Sequence, residues 1–277
     1  MLEEIALDPW IVQILPVRRN PIMKYFWTYK TDLPEGIGTP NFSPTHLACI
    51  VASILFIVAM VLIYRRQDTK VKIRIQKVII VIAAILDVSR WIWAAIIGHY
   101  SFQEMLPLHL CSLSIWMELA AVFTGRSLLK EFGYALCMTG AMAAILTPDW
   151  SMYPFPSFQY LHSIVVHSLL ILVPVLWIWG DGFRPNYRQL PKCLLILFAF
   201  AIPVFFINYA VDGNYLFLRE APKDTPLEIF DTWFGNPGYL VPLFFTIMVV
   251  WLIFYLPWVI KEKLHKPKKT EAVVVKE

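Results

Sequence analysis

The sequence predicts an all-helical membrane protein, a polytopic bundle of about seven transmembrane helices. Hydrophobic residues make up 58% of its 277 residues and charged residues only 16%, whereas soluble domains carry about 25% charged residues. Apolar stretches that approach the roughly 20 residues needed to cross a bilayer as a helix recur along the chain. Lys and Arg residues concentrate in alternate loops, as in polytopic membrane proteins.

Each apolar stretch is predicted to be a helix, because the backbone must satisfy its own hydrogen bonds where water is absent. The fourth stretch is short and rich in Gly and Ala, which favours close helix packing. The sixth contains Pro203 and Asn208, which predict a kink. The predicted spans are Pro44–Tyr64, Val78–Gly98, Leu106–Thr124, Phe132–Thr147, Tyr160–Gly180, Cys193–Val211 and Gly238–Ile260. Together they define a transmembrane domain over residues 44–260.

The orientation follows from positive charge in the short loops. Basic residues cluster after the first, third, fifth and seventh spans, whereas the opposite loops are mainly acidic. This pattern predicts an outside amino terminus and a cytoplasmic carboxyl terminus in the cell membrane. Residues 261–277 are predicted to form a basic cytoplasmic tail attracted to anionic lipid. Residues 1–43 mix aromatic and basic residues between prolines, which favours an interfacial segment on the outer side.

The composition also limits the classes of partner. The net charge of +4 follows the membrane topology and forms no interleaved basic and aromatic surface, so nucleic-acid binding is not expected. Membrane lipids are the expected partners, protein partners cannot be predicted, and no cofactor is predicted. The four cysteines all lie within predicted spans, where buried thiols that pack as small hydrophobic groups are the ordinary interpretation. They are Cys49, Cys111, Cys137 and Cys193.

Two opposite charges, Asp87 and Arg90, lie inside the second span. A charged side chain near the bilayer centre costs roughly 2.5 to 3.5 kcal/mol on insertion scales, so each needs a partner or a purpose. Three positions apart on a helix, the two residues share one face and are predicted to form an intramembrane charge pair. The alternative is a role in binding an anion or a proton.

The third span carries a cysteine with polar neighbours. Cys111, Ser114 and Glu118 share one helical face, whereas His109 lies about 200° from Cys111 on a regular helix. A local pair of Cys111 and His109 is therefore disfavoured, and a general base for Cys111 would have to come from another helix.

Several histidines lie at a comparable depth near the outer ends of the spans. His162 and His167 in the fifth span are about 140° apart on a helix, so this helix alone predicts no zinc site, and no metal site is predicted elsewhere. If the outer ends converge, these two histidines, His46, His109 and Asp149 line an outward-facing polar pocket. The alternative is that each histidine caps a helix or bonds a neighbouring carbonyl.

The outer loop between the sixth and seventh spans is predicted to be an ordered lid that contributes polar groups to this pocket. Asn208, Asn214 and Arg219 are its candidate ligand-binding residues, and Gly213 and Gly235 permit the turns it needs. A purely structural turn that returns the chain to the membrane is the alternative.

Five short motifs resemble those of the YwaF-type family of bacterial integral membrane proteins, over about Phe42 to Trp258. They are Phe42-Ser43 with His46, Leu106 to Cys111, Leu146 to Asp149, Ser163 to Leu169 around His167, and Asn214 to Arg219. The resemblance implies the membrane topology. A remoter likeness to eukaryotic membrane acyltransferases that remodel ether phospholipids implies acyl transfer by a cysteine and a histidine.

Three functions are compatible with these features. In a lipid acyltransferase, Cys111 would be the nucleophile, His167 the base, and His109 or Asn208 a donor to the developing oxyanion. In a binding protein or transporter, the pocket would hold a small molecule or a metal ion. In a non-catalytic accessory protein, the polar residues would only connect helices. The candidate ligand-binding residues are His46, Asp149, His162, Asn208, Asn214 and Arg219.

Overall fold

The computed structural model describes residues 23–222 and 225–264, and all regular secondary structure within these ranges is helical. Eight α-helices follow one another along the described chain: α1 Pro44–Arg65, α2 Thr69–Ile96, α3 Leu110–Thr124, α4 Ser127–Leu146, α5 Phe158–Gly180, α6 Leu190–Val211, α7 Glu228–Phe234 and α8 Leu240–Leu264. Residues 1–22 of the predicted interfacial segment and residues 265–277 of the predicted tail lie outside the described residues.

The predicted helical membrane bundle is confirmed. Six of the described helices are long and apolar enough to cross a membrane. The seventh apolar helix, α3, has 15 residues, fewer than the roughly 20 needed to cross unaided. Helices α1, α6 and α8 present apolar side chains outward, including Leu55, Leu195 and Leu252, which are each more than 60% exposed. Such surfaces are compatible with contact to lipid tails.

Helix α5 occupies the centre of the bundle. In the most apolar 18-residue stretch of α5, 78% of the residues are buried. In the corresponding stretches of α1, α6 and α8, only 11% are buried. It packs against α1, α2, α3 and α4. Consequently His162 and His167 of α5 face protein, and each is only 8% exposed.

Six of the seven predicted spans begin at a different residue in the structure, and a local interaction or conformation explains two of these differences. Helix α2 begins at Thr69 because the side chain of Asp68 caps it, accepting a hydrogen bond from the Val71 N–H at 2.9 Å. Helix α3 begins at Leu110, since the preceding residue His109 is extended, with φ −69° and ψ 154°. This start places Cys111 in the first turn of α3.

At the end of the bundle predicted to face the cytoplasm, a polar cluster connects α1, α2 and α5. Tyr64 donates a hydrogen bond to Asp181 at 2.8 Å, and Gln76 donates to both Tyr64 and Asp181. Trp177 donates its indole N–H to Gln76 at 3.1 Å. The ring of Tyr64 lies against Gly180, where a Cβ atom would come within 2.3 Å of it. These contacts fix the central helix at this end of the bundle.

Candidate functional site

Arg90 stands at the centre of a group of polar residues at the predicted outer end of the bundle. It is half-buried in α2. Its charge interacts with side chains from α2, α3, α5 and four non-helical segments: Tyr29, Asp87, His109, Cys111, Asp149, Tyr153, His162, His167 and Tyr215. The structure therefore brings together most of the predicted pocket residues. We call the part formed by Arg90, His109, Cys111, Asp149 and His167 the outer recess.

Asp87 and Arg90 do not form a direct ion pair. Among the described residues, no carboxylate oxygen lies within 4.0 Å of the Arg90 guanidinium. One Asp87 oxygen accepts a hydrogen bond from the Ser112 hydroxyl at 2.9 Å, and the other is buried without a partner. The two charges interact only at longer range, and Asp87 connects α2 to the first turn of α3.

Cys111 occupies the second position of α3 and is half-buried. The first N–H groups of a helix lack intrahelical partners and create a partial positive charge at that end of the helix. Cys111 also interacts electrostatically with Arg90, Asp87 and Asp149. Over residues 23–222 and 225–264, no hydrogen bond joins its thiol to a histidine.

His167 has one ring nitrogen fixed and one unprotonated. Its Nδ1 lies 2.7 Å from the carbonyl oxygen of Ser163, one turn earlier in α5. A carbonyl only accepts hydrogen bonds, so Nδ1 carries the proton and Nε2 has a lone pair. The ring stacks on Trp150, with centroids 4.9 Å apart and planes inclined by 22°. This orientation suits a general base.

The other histidines of the predicted pocket are held differently. His162 donates from Nε2 to the Leu86 carbonyl at 2.9 Å, which joins α5 to α2. The ring of His109 packs edge-on against Tyr215 at 4.8 Å. His46 is fully buried, accepts from the Phe42 N–H at 2.8 Å and donates to the Ile145 carbonyl at 2.8 Å. Both ring nitrogens of His46 are therefore occupied and unavailable to a ligand.

The three candidate residues of the outer loop organise the loop itself. Asn208 donates to the Tyr215 carbonyl at 2.9 Å and accepts from the Tyr215 N–H at 2.7 Å, and it is fully buried. Asn214 accepts from the Arg219 N–H at 3.0 Å, and Arg219 pairs with Asp212 at 2.6 Å. The side chain of Asn208 is thus poorly placed to stabilise an oxyanion at Cys111.

Replacing Asn208 with Ala is expected to lower the free energy of unfolding by about 1–3 kcal/mol, because the buried backbone N–H of Tyr215 would lose its partner and the Tyr215 carbonyl would keep only the Leu218 N–H, at 3.3 Å. Thermal unfolding of the purified protein in one detergent measures this loss. Asn214→Ala is the matched control, since its hydrogen bonds are largely exposed. Equal losses in the two variants would contradict a buried clamp at Asn208.

A segment preceding α1 covers the outer recess. Lys30 pairs with Glu104 at 2.7 Å, and the Tyr29 hydroxyl donates to the same carboxylate at 2.5 Å. Burial raises the pKa of Glu104, but these hydrogen bonds outweigh it, so the net pKa lies below its usual value. The Lys30 backbone N–H also donates to the Tyr153 hydroxyl at 3.2 Å. The segment is therefore fastened to two outer loops.

Asp149 lies on the wall of the outer recess. Its side chain is solvent-exposed. Surrounding protein nevertheless raises the pKa of its carboxyl by desolvation, partly offset by a backbone hydrogen bond and by the charges of Lys30 and Arg90.

Four residues of this region were not predicted from the sequence: Lys30, Glu104, Trp150 and Tyr153. Each lies in a segment without helical periodicity, so only tertiary structure places it beside the recess. The position of Trp150 directly after Asp149 in the Leu146 to Asp149 motif is the only local signal that could have pointed to it. Within the described part of the chain, no group of three or more His, Cys, Asp or Glu side chains is arranged to hold a metal ion.

Comparison with known proteins gives one match. The model of the TMEM164 family matches residues 41–255. No curated protein and no solved structure matches the chain significantly. The matched range contains α1 to α7, most of α8 and the entire outer recess. Because the match covers most of the sequence, the chain belongs to the TMEM164 family of transmembrane proteins.

Proposed function

We propose that this protein is a lipid acyltransferase of the YwaF type, acting in the cell membrane from its outer recess. The observation that supports the proposal is that Cys111 and His167 both lie within electrostatic range of Arg90. The Cys111 thiol lies at a helix amino terminus, the Nε2 atom of His167 is unprotonated, and both residues interact with Arg90. A thiol, a neutral imidazole and a nearby positive charge are the groups that thiol-dependent acyl transfer requires.

The reaction would proceed in two halves. Nε2 of His167 takes the Cys111 proton, and the thiolate attacks the ester carbonyl carbon of a donor lipid. The tetrahedral intermediate collapses, the ester C–O bond breaks, and the leaving alkoxide takes the proton from His167. This half leaves a thioester on Cys111 and a lipid alcohol. In the second half His167 takes the proton of an acceptor hydroxyl, whose oxygen attacks the thioester carbonyl carbon. The C–S bond breaks, a new ester forms, and His167 returns the proton to the Cys111 thiolate.

Backbone N–H groups at the start of α3 are the best oxyanion donors. The N–H groups of Cys111 and Ser112 lie in the first helical turn, where no intrahelical carbonyl is available to them. They are adjacent to the attacking sulfur, whereas the Asn208 amide is engaged by Tyr215. His109, at the N-cap of the same helix, is the candidate side-chain donor. Cys111 and His167 share no hydrogen bond in the described residues, so the proposal requires them to approach each other when substrate binds, as catalytic hydrogen bonds often tighten only in the substrate complex.

Intact-protein mass spectrometry tests the proposal. The full chain in detergent is incubated with vesicles of a diacyl glycerophospholipid, and we expect one acyl mass on Cys111 that neutral hydroxylamine removes. Cys111→Ala should carry no adduct, whereas Cys49→Ser, which changes another half-buried cysteine, should behave as the unmodified chain. Acyl exchange between lipids that persists in Cys111→Ala would contradict the proposal. Lipid binding without any adduct in the unmodified chain would favour a binding protein or transporter instead.

A further inference from the structure

Arg90 has unused hydrogen-bonding capacity in a position where that is costly. Its guanidinium forms no hydrogen bond and no ion pair with any residue in the described ranges, although it lies within a transmembrane helix. Arginine inside a span normally pairs with a carboxylate or a backbone carbonyl. Its N–H donors also form a planar fork that no other side chain presents. An unpaired guanidinium here indicates that its partner is a ligand.

The neighbouring carboxylates do not supply that partner. Asp87 is bonded to Ser112, and Glu104 is bonded to Lys30 and Tyr29. Asp149 interacts with Arg90 and with Lys30 but contacts neither within 4.0 Å. If Asp149 were the structural partner of Arg90, a bidentate contact would be expected. No neighbouring carboxylate in the described residues therefore pairs directly with Arg90.

A phosphate group is the ligand chemistry that fits this arrangement. Arginine binds phosphate in a bidentate manner with charge-assisted hydrogen bonds. In a glycerophospholipid the phosphate and the nearer ester carbonyl are separated by only a few bonds. Asp87, one turn before Arg90, accepts a hydrogen bond at 2.9 Å from Ser112, the residue after Cys111. Arg90 and Cys111 therefore lie near the same contact of α2 with α3, and one lipid molecule can place its phosphate at the guanidinium and its ester at the thiol. Arg90 lies about 9 Å from the outer end of α2, within reach of a headgroup drawn into the recess.

We propose that Arg90 binds the phosphate group of the lipid substrate and thereby positions its ester carbonyl at Cys111. The inference deepens the proposed acyl transfer and rests on it for the role of Cys111. Arg90 is thus a substrate-binding residue that selects phospholipids over neutral glycerolipids.

Binding of non-hydrolysable lipids tests this inference separately from acyl transfer. We use the Cys111→Ala chain, in which Arg90 has no thiolate to stabilise, and measure binding by native mass spectrometry. The probes are a dialkyl glycerophospholipid and the dialkylglycerol with the same chains, neither of which contains an ester. The phospholipid should bind about 10- to 100-fold more tightly, and Arg90→Gln in the same background should reduce this preference to less than about threefold. Arg90→Lys should retain part of it.

Two controls fix the interpretation. Arg188→Gln removes an exposed arginine at the opposite end of the bundle and should leave the preference intact, while thermal unfolding verifies that each variant is folded. An unchanged preference in folded Arg90→Gln overturns the inference. Inorganic phosphate that competes as strongly as the phospholipid would overturn the lipid source and support a free-phosphate site. Loss of acyl exchange with the preference preserved would reject only the proposed reaction.

Discussion

Replacing His167 with Gln is expected to slow formation of the Cys111 thioester by about 10²- to 10⁴-fold, the usual contribution of a positioned general base. Glutamine can occupy much of the same space beside Trp150 but cannot accept the thiol proton. Single-turnover acylation, followed by intact mass spectrometry at saturating lipid, measures the effect on the chemical step. We expect the lipid concentration that gives half-maximal rate to change much less, because His167 acts on the proton and not on the headgroup.

His162→Gln is the matched control for His167→Gln. The two histidines lie five residues apart on α5 and are equally buried, but His162 uses Nε2 to bond the Leu86 carbonyl and leaves only a buried Nδ1 without a partner. Its replacement should lower the melting temperature and leave the acylation rate of the folded protein within a few fold. A folded His167→Gln variant that acylates at the unmodified rate, or a His162→Gln variant with the larger rate loss, would remove His167 from the mechanism.

The helical architecture could be predicted because it depends on local properties of the chain. The length and apolarity of a stretch decide whether it forms a membrane helix, and each predicted span has its helix in the structure. The residues at which the helices begin were harder to predict. Asp68 extends α2 toward the amino terminus, while the extended backbone at His109 delays the start of α3. A capping interaction sets the start of α2, and a local backbone conformation sets the start of α3. Neither can be predicted from the hydropathy of the chain.

Only part of the outer recess could be predicted from the sequence. A polar residue at a helix end gives the same sequence pattern whether its side chain binds a ligand or bonds another protein group. His46 and Asn208 illustrate the second case, since backbone groups distant in sequence or across a turn occupy their polar atoms. His167 and Arg90 are the proposed examples of the first case, because each retains a polar group without a partner among the described residues. The structure distinguishes the two cases, since it shows which polar atoms are bonded to Ile145, Tyr215 and Ser163 and which are not.

Glu118→Met is expected to stabilise the protein by about 1–3 kcal/mol. Glu118 is fully buried in α3, and neither carboxylate oxygen has a hydrogen-bond partner. The side chain lies beside Gly133 and the ring of Trp177. This environment offers no hydrogen bond that would offset the free-energy cost of desolvating a carboxyl group. Methionine has a similar length and shape, so it removes that cost without opening a cavity. The melting temperature in one detergent should rise by several degrees.

Glu118→Gln tests whether the stabilisation in Glu118→Met comes from removing buried polar atoms or from removing the acidic group. Glutamine keeps two polar groups that must also be buried unpaired, so its melting temperature should stay close to that of the unmodified chain. Glu118 lies two turns from Cys111, about 10 Å along α3, and therefore Glu118→Met should acylate at nearly the unmodified rate. A Met variant that melts lower than the Gln variant would mean that the carboxyl forms a stabilising contact. A stable Met variant with lost acylation would instead place Glu118 in the reaction, since packing alone could not account for that pair of results.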